Sequence, residues 1–259
     1  MSKPTVQTVY DLIGEIAPYE TAEDYDNVGL LVGRYDRSVS RILCSLDITM
    51  EMVEEALRLG AELIVTHHPL MFHARKNLRE GEPEADILCR LVREKLSLIS
   101  AHTNLDQTVY SGSASVARGL GLSDIRQYDP FVFLGDFAPE KSAGEVAAML
   151  RERFQAPVRM YGDEKRPIRT LALCGGAYGM GYLDAEKAGA QAYLTGEIRH
   201  SDITDAVARG IVIFDAGHYA SEAPMIPGLR DYLQNALNER GYSAQVLTTA
   251  CVPFPGALE

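Results

Sequence analysis

No apolar run in the 259 residues approaches the roughly 18 that a helix needs to cross a bilayer. The opening stretch MSKPTVQTVY has no apolar signal core, so a cytoplasmic location is expected. Cysteine is scarce. Cys44, Cys89, Cys174 and Cys251 are scattered without a C-x-x-C, which excludes a disulfide framework and reads as four reduced, mostly buried thiols. Positive charge is short too: 25 Lys and Arg against 36 Asp and Glu leave −11. A phosphate-backbone footprint is cationic, so nucleic acid is a disfavoured partner. A local positive site stays open, because two divalent ions would bring four charges to one place. Disorder is excluded by the 46% hydrophobic content.

What is present is an alternation of apolar strands and amphipathic helices. Val6, Val9, Leu12, Ile13 and Ile16 keep a helical spacing that Pro18 closes. Strands are expected at 42–46, 63–66 and 96–100, with helices at 50–59, 84–95 and 113–120 between or after them. Asp47 or Thr49 can cap the second helix and Gly60 ends it. In the second half, strands are expected at 131–137, 158–161, 169–174, 192–195, 211–215 and 244–249. Helices are expected at 142–154, 183–188, 202–208 and 228–239. The fold class is α/β with mixed, mostly parallel sheets flanked by helices.

The two halves resemble copies of one another. Gly60-Ala61 and Thr66 recur as Gly189-Ala190 and Thr195, and Ala101-His102-x-x-x-Asp106 matches Gly217-His218-x-x-x-Glu222. Two similar lobes from an internal duplication are expected, 1–126 and 127–259. The C-terminal helix and strand are free to return to the first lobe. A site is expected in the cleft between the copies.

Three strand ends gather the chemistry. LIVTHHPLMF (63–72) starts as a buried strand and runs into His67-His68 before Pro69, which has no N–H for a ladder. In an open α/β sheet that edge is where ligands bind. Side chains alternate along a strand, so adjacent imidazoles suit two ions side by side better than one. The segments 102–106 and 218–222 each add a histidine and a carboxylate four residues apart; on a helix both would share one face. Imidazole and carboxylate without thiolate suit Zn, Fe, Mn, Co or Ni. Two such ions would lower the pKa of a bound water to roughly 7 and clamp attacking and leaving oxygens.

DNVGLLVG (26–33), THHPLMF (66–72), AHTNLD (101–106), TGEIRHSD (195–202) and GHYASE (217–222) resemble the signature segments of the NGG-interacting-factor-like dinuclear metal-centre proteins. These are often labelled GTP cyclohydrolase I type 2 homologues. The resemblance implies a two-lobed α/β fold, two divalent metal ions per chain in the cleft, and a homohexamer built as a trimer of dimers. It implies that His67 and His68 bind one ion each, His68 with Asp106 and His67 with His218, while Glu222 bridges both. His102 would stand close by as the proton-handling, catalytic residue. The chain departs from the pattern at Tyr25, where the family commonly has Trp, and this sequence has no Trp at all. Residues 107–113 also lack the family's usual glycine-rich run.

Other residues take blander readings. Gly175 to Gly181 lacks the Lys-Ser/Thr of a P-loop and reads as a tight connector. Arg75 and Lys76 read as a solvated turn that could also meet an anion. Asp26 and Asn27 shape a turn, Tyr219 packs or orients substrate, and Arg199, His200 and Asp202 are cleft residues rather than ligands. The function expected is a metal-dependent hydrolase of a small anionic, nucleotide-like substrate that uses a metal-bridging hydroxide. The alternative is a non-catalytic, metal-binding hexamer that stores ions or serves as an interaction hub. A DNA-associated ring ranks last on charge.

Overall fold

The computed structural model describes residues 2–253; position 1 and positions 254–259, the outer ends of the expected lobes, lie outside that range. The chain divides into two compact units. The first holds the described part of Met1–Thr108 together with Ile226–Pro253, and the second holds Val109–Met225.

In the first unit, α1 (Val6–Ile16) begins at Thr5, whose hydroxyl accepts from Thr8 N while the Thr8 hydroxyl accepts from Thr5 N. This satisfies donors that a helix start leaves open. The helix buries Val6, Val9, Leu12 and Ile13. β1 (Gly29–Val32), β2 (Arg41–Ser45) and α2 (Met50–Leu59) follow. Thr49 caps α2, and Gly60 ends it at φ 69°, a conformation that costs glycine little. β3 (Leu63–Thr66), α3 (Pro83–Glu94), β4 (Ser97–Ser100) and α4 (Thr103–Asp106) complete the first pass. Every residue of β3 and β4 is buried, which is why Leu63-Ile64-Val65 and Leu98-Ile99 run apolar on both faces without a charged alternation.

The second unit contains α5 (Gly112–Gly119), β5 (Ser123–Gln127), β6 (Phe133–Ser142), α6 (Ala143–Phe154), β7 (Arg159–Tyr161) and β8 (Pro167–Cys174). It continues through α7 (Tyr182–Lys187), β9 (Ala192–Thr195), α8 (His200–Ala208), β10 (Val212–Asp215) and α9 (His218–Glu222). The chain then returns to the first unit through α10 (Met225–Glu239) and β11 (Gln245–Thr248). Pro227 sits in the first turn of α10, where no intrahelical N–H is needed.

The first sheet runs β1-β4-β3-β2-β11; all its pairs are parallel except β1 with β4. The second runs β5-β6-β8-β9-β10-β7, with β8, β9 and β10 parallel and the outer strands antiparallel. No helix among the described residues is long and apolar enough to cross a membrane.

The division falls at 108/109, earlier than the expected 126/127. The reason is β5, which pairs with β6, and α5, whose Val116 and Ala117 join the core of Phe137, Ile168 and Leu171. β5 was not anticipated. Its sequence SDIRQ has one large apolar residue and no buried position, so neither a strand alternation nor an apolar run announces it.

The duplication has a backbone counterpart inside each unit. Gly189, like Gly60, is left-handed (φ 75°), and Ala61 N and Ala190 N bond back to Ala56 O and Ala185 O. Ala101 N donates to Thr66 O at 3.0 Å, and Ala216 N donates to Thr195 O at 3.0 Å. The ladder therefore aligns Ala101 with Ala216, one residue earlier than the sequence match with Gly217.

The chain's return is fastened by Glu55, buried on α2, which accepts from the Thr249 hydroxyl and from Ala250 N at 3.1 Å. Burial pushes its carboxyl pKa up, but these hydrogen bonds outweigh it and the group sits below the ordinary value. A depressed folded pKa gives stability that is present above the unfolded pKa and lost as pH falls through the folded one. Glu55→Gln is therefore expected to lower stability by about 1–3 kcal/mol at neutral pH. The difference from wild type should close below roughly pH 4 in denaturant melts.

Candidate metal centre

Within the first unit, β3 and β4 are parallel neighbours that end side by side, with Thr66 and Ser100 hydroxyls 2.7 Å apart. Beyond β3 the backbone still follows β2: His67 N donates to Ser45 O at 3.2 Å and His68 N to Leu46 O at 2.8 Å. Both imidazoles thus leave at the C-terminal edge of the sheet. His102 follows β4, and the Asn104 side chain holds its turn by accepting from His102 N at 2.9 Å and donating to Ala17 O at 2.8 Å.

Each of these rings is fixed through Nδ1. His67, fully buried, meets Ala101 O at 2.9 Å. His68 meets Asp47 Oδ1 at 2.7 Å, and His102 meets Asp26 Oδ1 at 2.8 Å. A carbonyl or carboxylate oxygen only accepts, so Nδ1 must carry the proton, and a neutral ring then presents a lone pair at Nε2. The ring centroids lie 5.0, 5.0 and 5.6 Å apart, and one donor atom from each histidine falls within 4.8 Å of the others. His67 Nε2 also lies 3.6 Å from Asp106 Oδ1. Lone pairs and a carboxylate facing one another fit a cation, and outer acceptors on Nδ1 are what metal-ligating histidines normally have.

Asp26 does more than shape its turn. Its side chain is buried, which raises its pKa, yet hydrogen bonds from His102, the Thr103 hydroxyl and Thr103 N (3.0 Å) hold it well below the usual carboxylate range. It is a fixed negative charge behind His102. Asp47, readable in sequence only as a helix cap, leaves that role to Thr49 and holds His68 instead.

In the second unit, α9 puts His218 Nε2 3.0 Å from Glu222 Oε2, the one-face arrangement that the i,i+4 spacing demands. His218 Nδ1 meets Glu197 Oε1 at 2.7 Å, the same fixation as in the first unit. Glu222 is buried. The helix lies against the glycine-rich segment: a Cβ on Gly176 would fall 2.2 Å from Glu222 Oε1, and one on Gly196 would fall 2.8 Å from His218 Cα. Gly175 and Gly176 therefore serve close backbone approach to α9, while Gly179 packs on Glu197 and Ile198 and Gly181 on Tyr193. Arg199 and Asp202 line a cleft with Tyr178 and Glu197, while His200 is exposed.

Residues 4–255 match the model of the Duf34/NIF3 (NGG1p interacting factor 3) family. The chain belongs to that family. A Streptomyces coelicolor relative named GTP cyclohydrolase 1 type 2 homolog is 30% identical, over 97% of this chain and 93% of its own. Among solved structures, a Staphylococcus aureus hypothetical protein is 26% identical with TM-score 0.92, covering 98% of this chain and 99% of that one. The Bacillus cereus protein related to NIF3 shares the fold at TM-score 0.94 and 18% identity, again over 98% and 99%.

Of the residues singled out in sequence, His67, His68, His102 and Asp106 meet in the first unit, and His218 and Glu222 meet in the second. Asp106 Oδ1 stands 3.6 Å from His67 Nε2. Asp47 and Glu197 were not singled out as holders of histidines. In metal-free protein at mildly alkaline pH, nitrogen-correlated NMR should find His67, His68 and His102 as Nδ1–H tautomers. Asp47→Ala should release His68 alone to a mixed population, and an Nε2–H tautomer at His68 in the wild type would contradict the assignment.

Proposed function

We propose that the chain is a metal-dependent hydrolase of a small anionic, nucleotide-like substrate. The observation that carries this reading is the convergence of His67, His68 and His102 in one unit, each with Nδ1 committed to an acceptor. Relatives named GTP cyclohydrolase 1 type 2 homolog support it by family.

His67, His68 and Asp106 in the first unit, and His218 and Glu222 in the second, are the residues that would hold the two divalent ions expected per chain. Bound ions of this kind supply positive charge for an anionic substrate and a water acidified to a pKa of roughly 7. His102 is the proton-handling residue. Its Nδ1–H stays on Asp26, so Nε2 takes up a proton and passes it on, and the Asp26 charge stabilises the imidazolium while it exists. The same reading includes assembly as a homohexamer, a trimer of dimers, which light scattering would weigh directly.

His102→Ala is expected to keep the metal content of the wild type and to lose on the order of 10²–10⁴ in turnover. The assay is a nucleotide and phosphoester panel run on metal-loaded protein. If the variant loses metal in step with activity, His102 is a ligand and this role fails. If loaded wild-type protein turns over nothing on the panel, the non-catalytic metal-binding reading replaces the hydrolase.

A further inference from the structure

Two large aromatic side chains stand exposed beside the histidine cluster of the first unit. Tyr25 is 64% and Phe72 38% exposed. Their rings lie 6.2 Å apart, edge to face, and Phe72 lies 6.0 Å from the ring of His102. The backbone fixes both. Tyr25 immediately precedes Asp26, which holds His102. Phe72 follows Met71, whose carbonyl accepts from Asn27 Nδ2 at 2.9 Å and whose N–H donates to Glu84 Oε1 at 2.8 Å. The Asp26-Asn27 pair thus sets the catalytic histidine and the two aromatic residues in one frame. Two adjacent exposed aromatic rings offer faces and edges on which a further ring can pack.

A groove leads away from Phe72 along the loop to Arg79, lined also by His73, Arg75, Lys76, Glu82 and Glu84. Arg75 is committed to Glu82 and Glu84. Lys76 and Arg79 are exposed and carry no ion pair among the described residues. Two uncommitted cations at the far end of an aromatic surface are unusual company in a chain of net charge −11.

We infer that Tyr25 and Phe72 form a stacking platform for the heteroaromatic ring of a nucleotide, with Lys76 and Arg79 taking its phosphates. The assignment deepens the proposed function, resting on the His102 cluster as the reactive centre, and narrows the substrate class to ring plus polyphosphate. Aromatic faces stack on any base, so the platform sets class rather than base identity. Phosphates meet Lys and Arg as charges.

Because the chain has no Trp, Tyr25→Trp creates a single indole at the platform. On the metal-loaded chain, GTP is expected to quench this fluorescence and inorganic tripolyphosphate is not. Tyr25→Ala combined with Phe72→Ala should weaken GTP binding about tenfold or more while metal content and tripolyphosphate affinity stay unchanged. Lys76→Ala combined with Arg79→Ala should weaken GTP and tripolyphosphate together and leave guanosine binding as it was. Equal quenching by tripolyphosphate, or undiminished GTP affinity in the double aromatic variant, overturns the inference. So does a change of assembly mass in that variant, which would make the aromatics a contact between copies. GTP that stacks but is not hydrolysed supports this assignment and sinks the proposed hydrolysis, so the two fail separately.

Discussion

One bond type recurs at every histidine of the candidate centre: Nδ1–H donated to an oxygen that can only accept. Ala101 O, Asp47, Asp26 and Glu197 hold His67, His68, His102 and His218 in this way. The bond sets each ring plane and, in a neutral ring, places the proton at Nδ1 and the lone pair at Nε2; at His218, Nε2 faces Glu222 Oε2 at 3.0 Å. Three of the four acceptors are carboxylates, which make the imidazole a better electron donor than a carbonyl would. Without these acceptors the same histidines would sample two tautomers and several rotamers, and the grouping in the first unit would dissolve. Asp26 shows how tightly the fold enforces this, since buried carboxylates normally gain protons and this one is kept ionised by three hydrogen bonds.

The fold delivers these groups by a simple route. Parallel strands end at one edge, and the segments that follow those ends carry the side chains that meet there. In the first unit that edge carries His67, His68 and His102. In the second, β10 is followed by Gly217 and then α9, whose first and last residues are His218 and Glu222. The close approach of Gly175, Gly176 and Gly196 to α9 is what allows a helix of this length to be packed without side chains intervening.

Much of this was legible in the sequence, for physical reasons. LIVT and SLIS read as buried strands because parallel strands covered on both faces need no polar alternation. His218 and Glu222 could be placed on one face because helical spacing is rigid. β5 was not legible, being a solvent-facing strand without an apolar signal, and its omission moved the expected boundary past α5. Asp47 and Glu197 were not legible as partners of histidines because each acts 21 residues from the ring it holds, a distance set by tertiary structure alone. Asp26 stands in a recognisable DNVGL segment, yet only the tertiary fold, which brings His102 and Thr103 to it across 76 and 77 residues, separates turn-making from holding His102.

Metal content is the most direct test, measured by elemental analysis of the whole chain purified without chelators, beside Asp106→Ala and Glu222→Ala. About two divalent ions per chain are expected in the wild type, falling sharply in both variants with the fold intact by circular dichroism. Near-zero metal that added Zn, Mn or Fe does not restore would contradict this, and the histidine groups would then be ordinary hydrogen-bonded residues at strand ends.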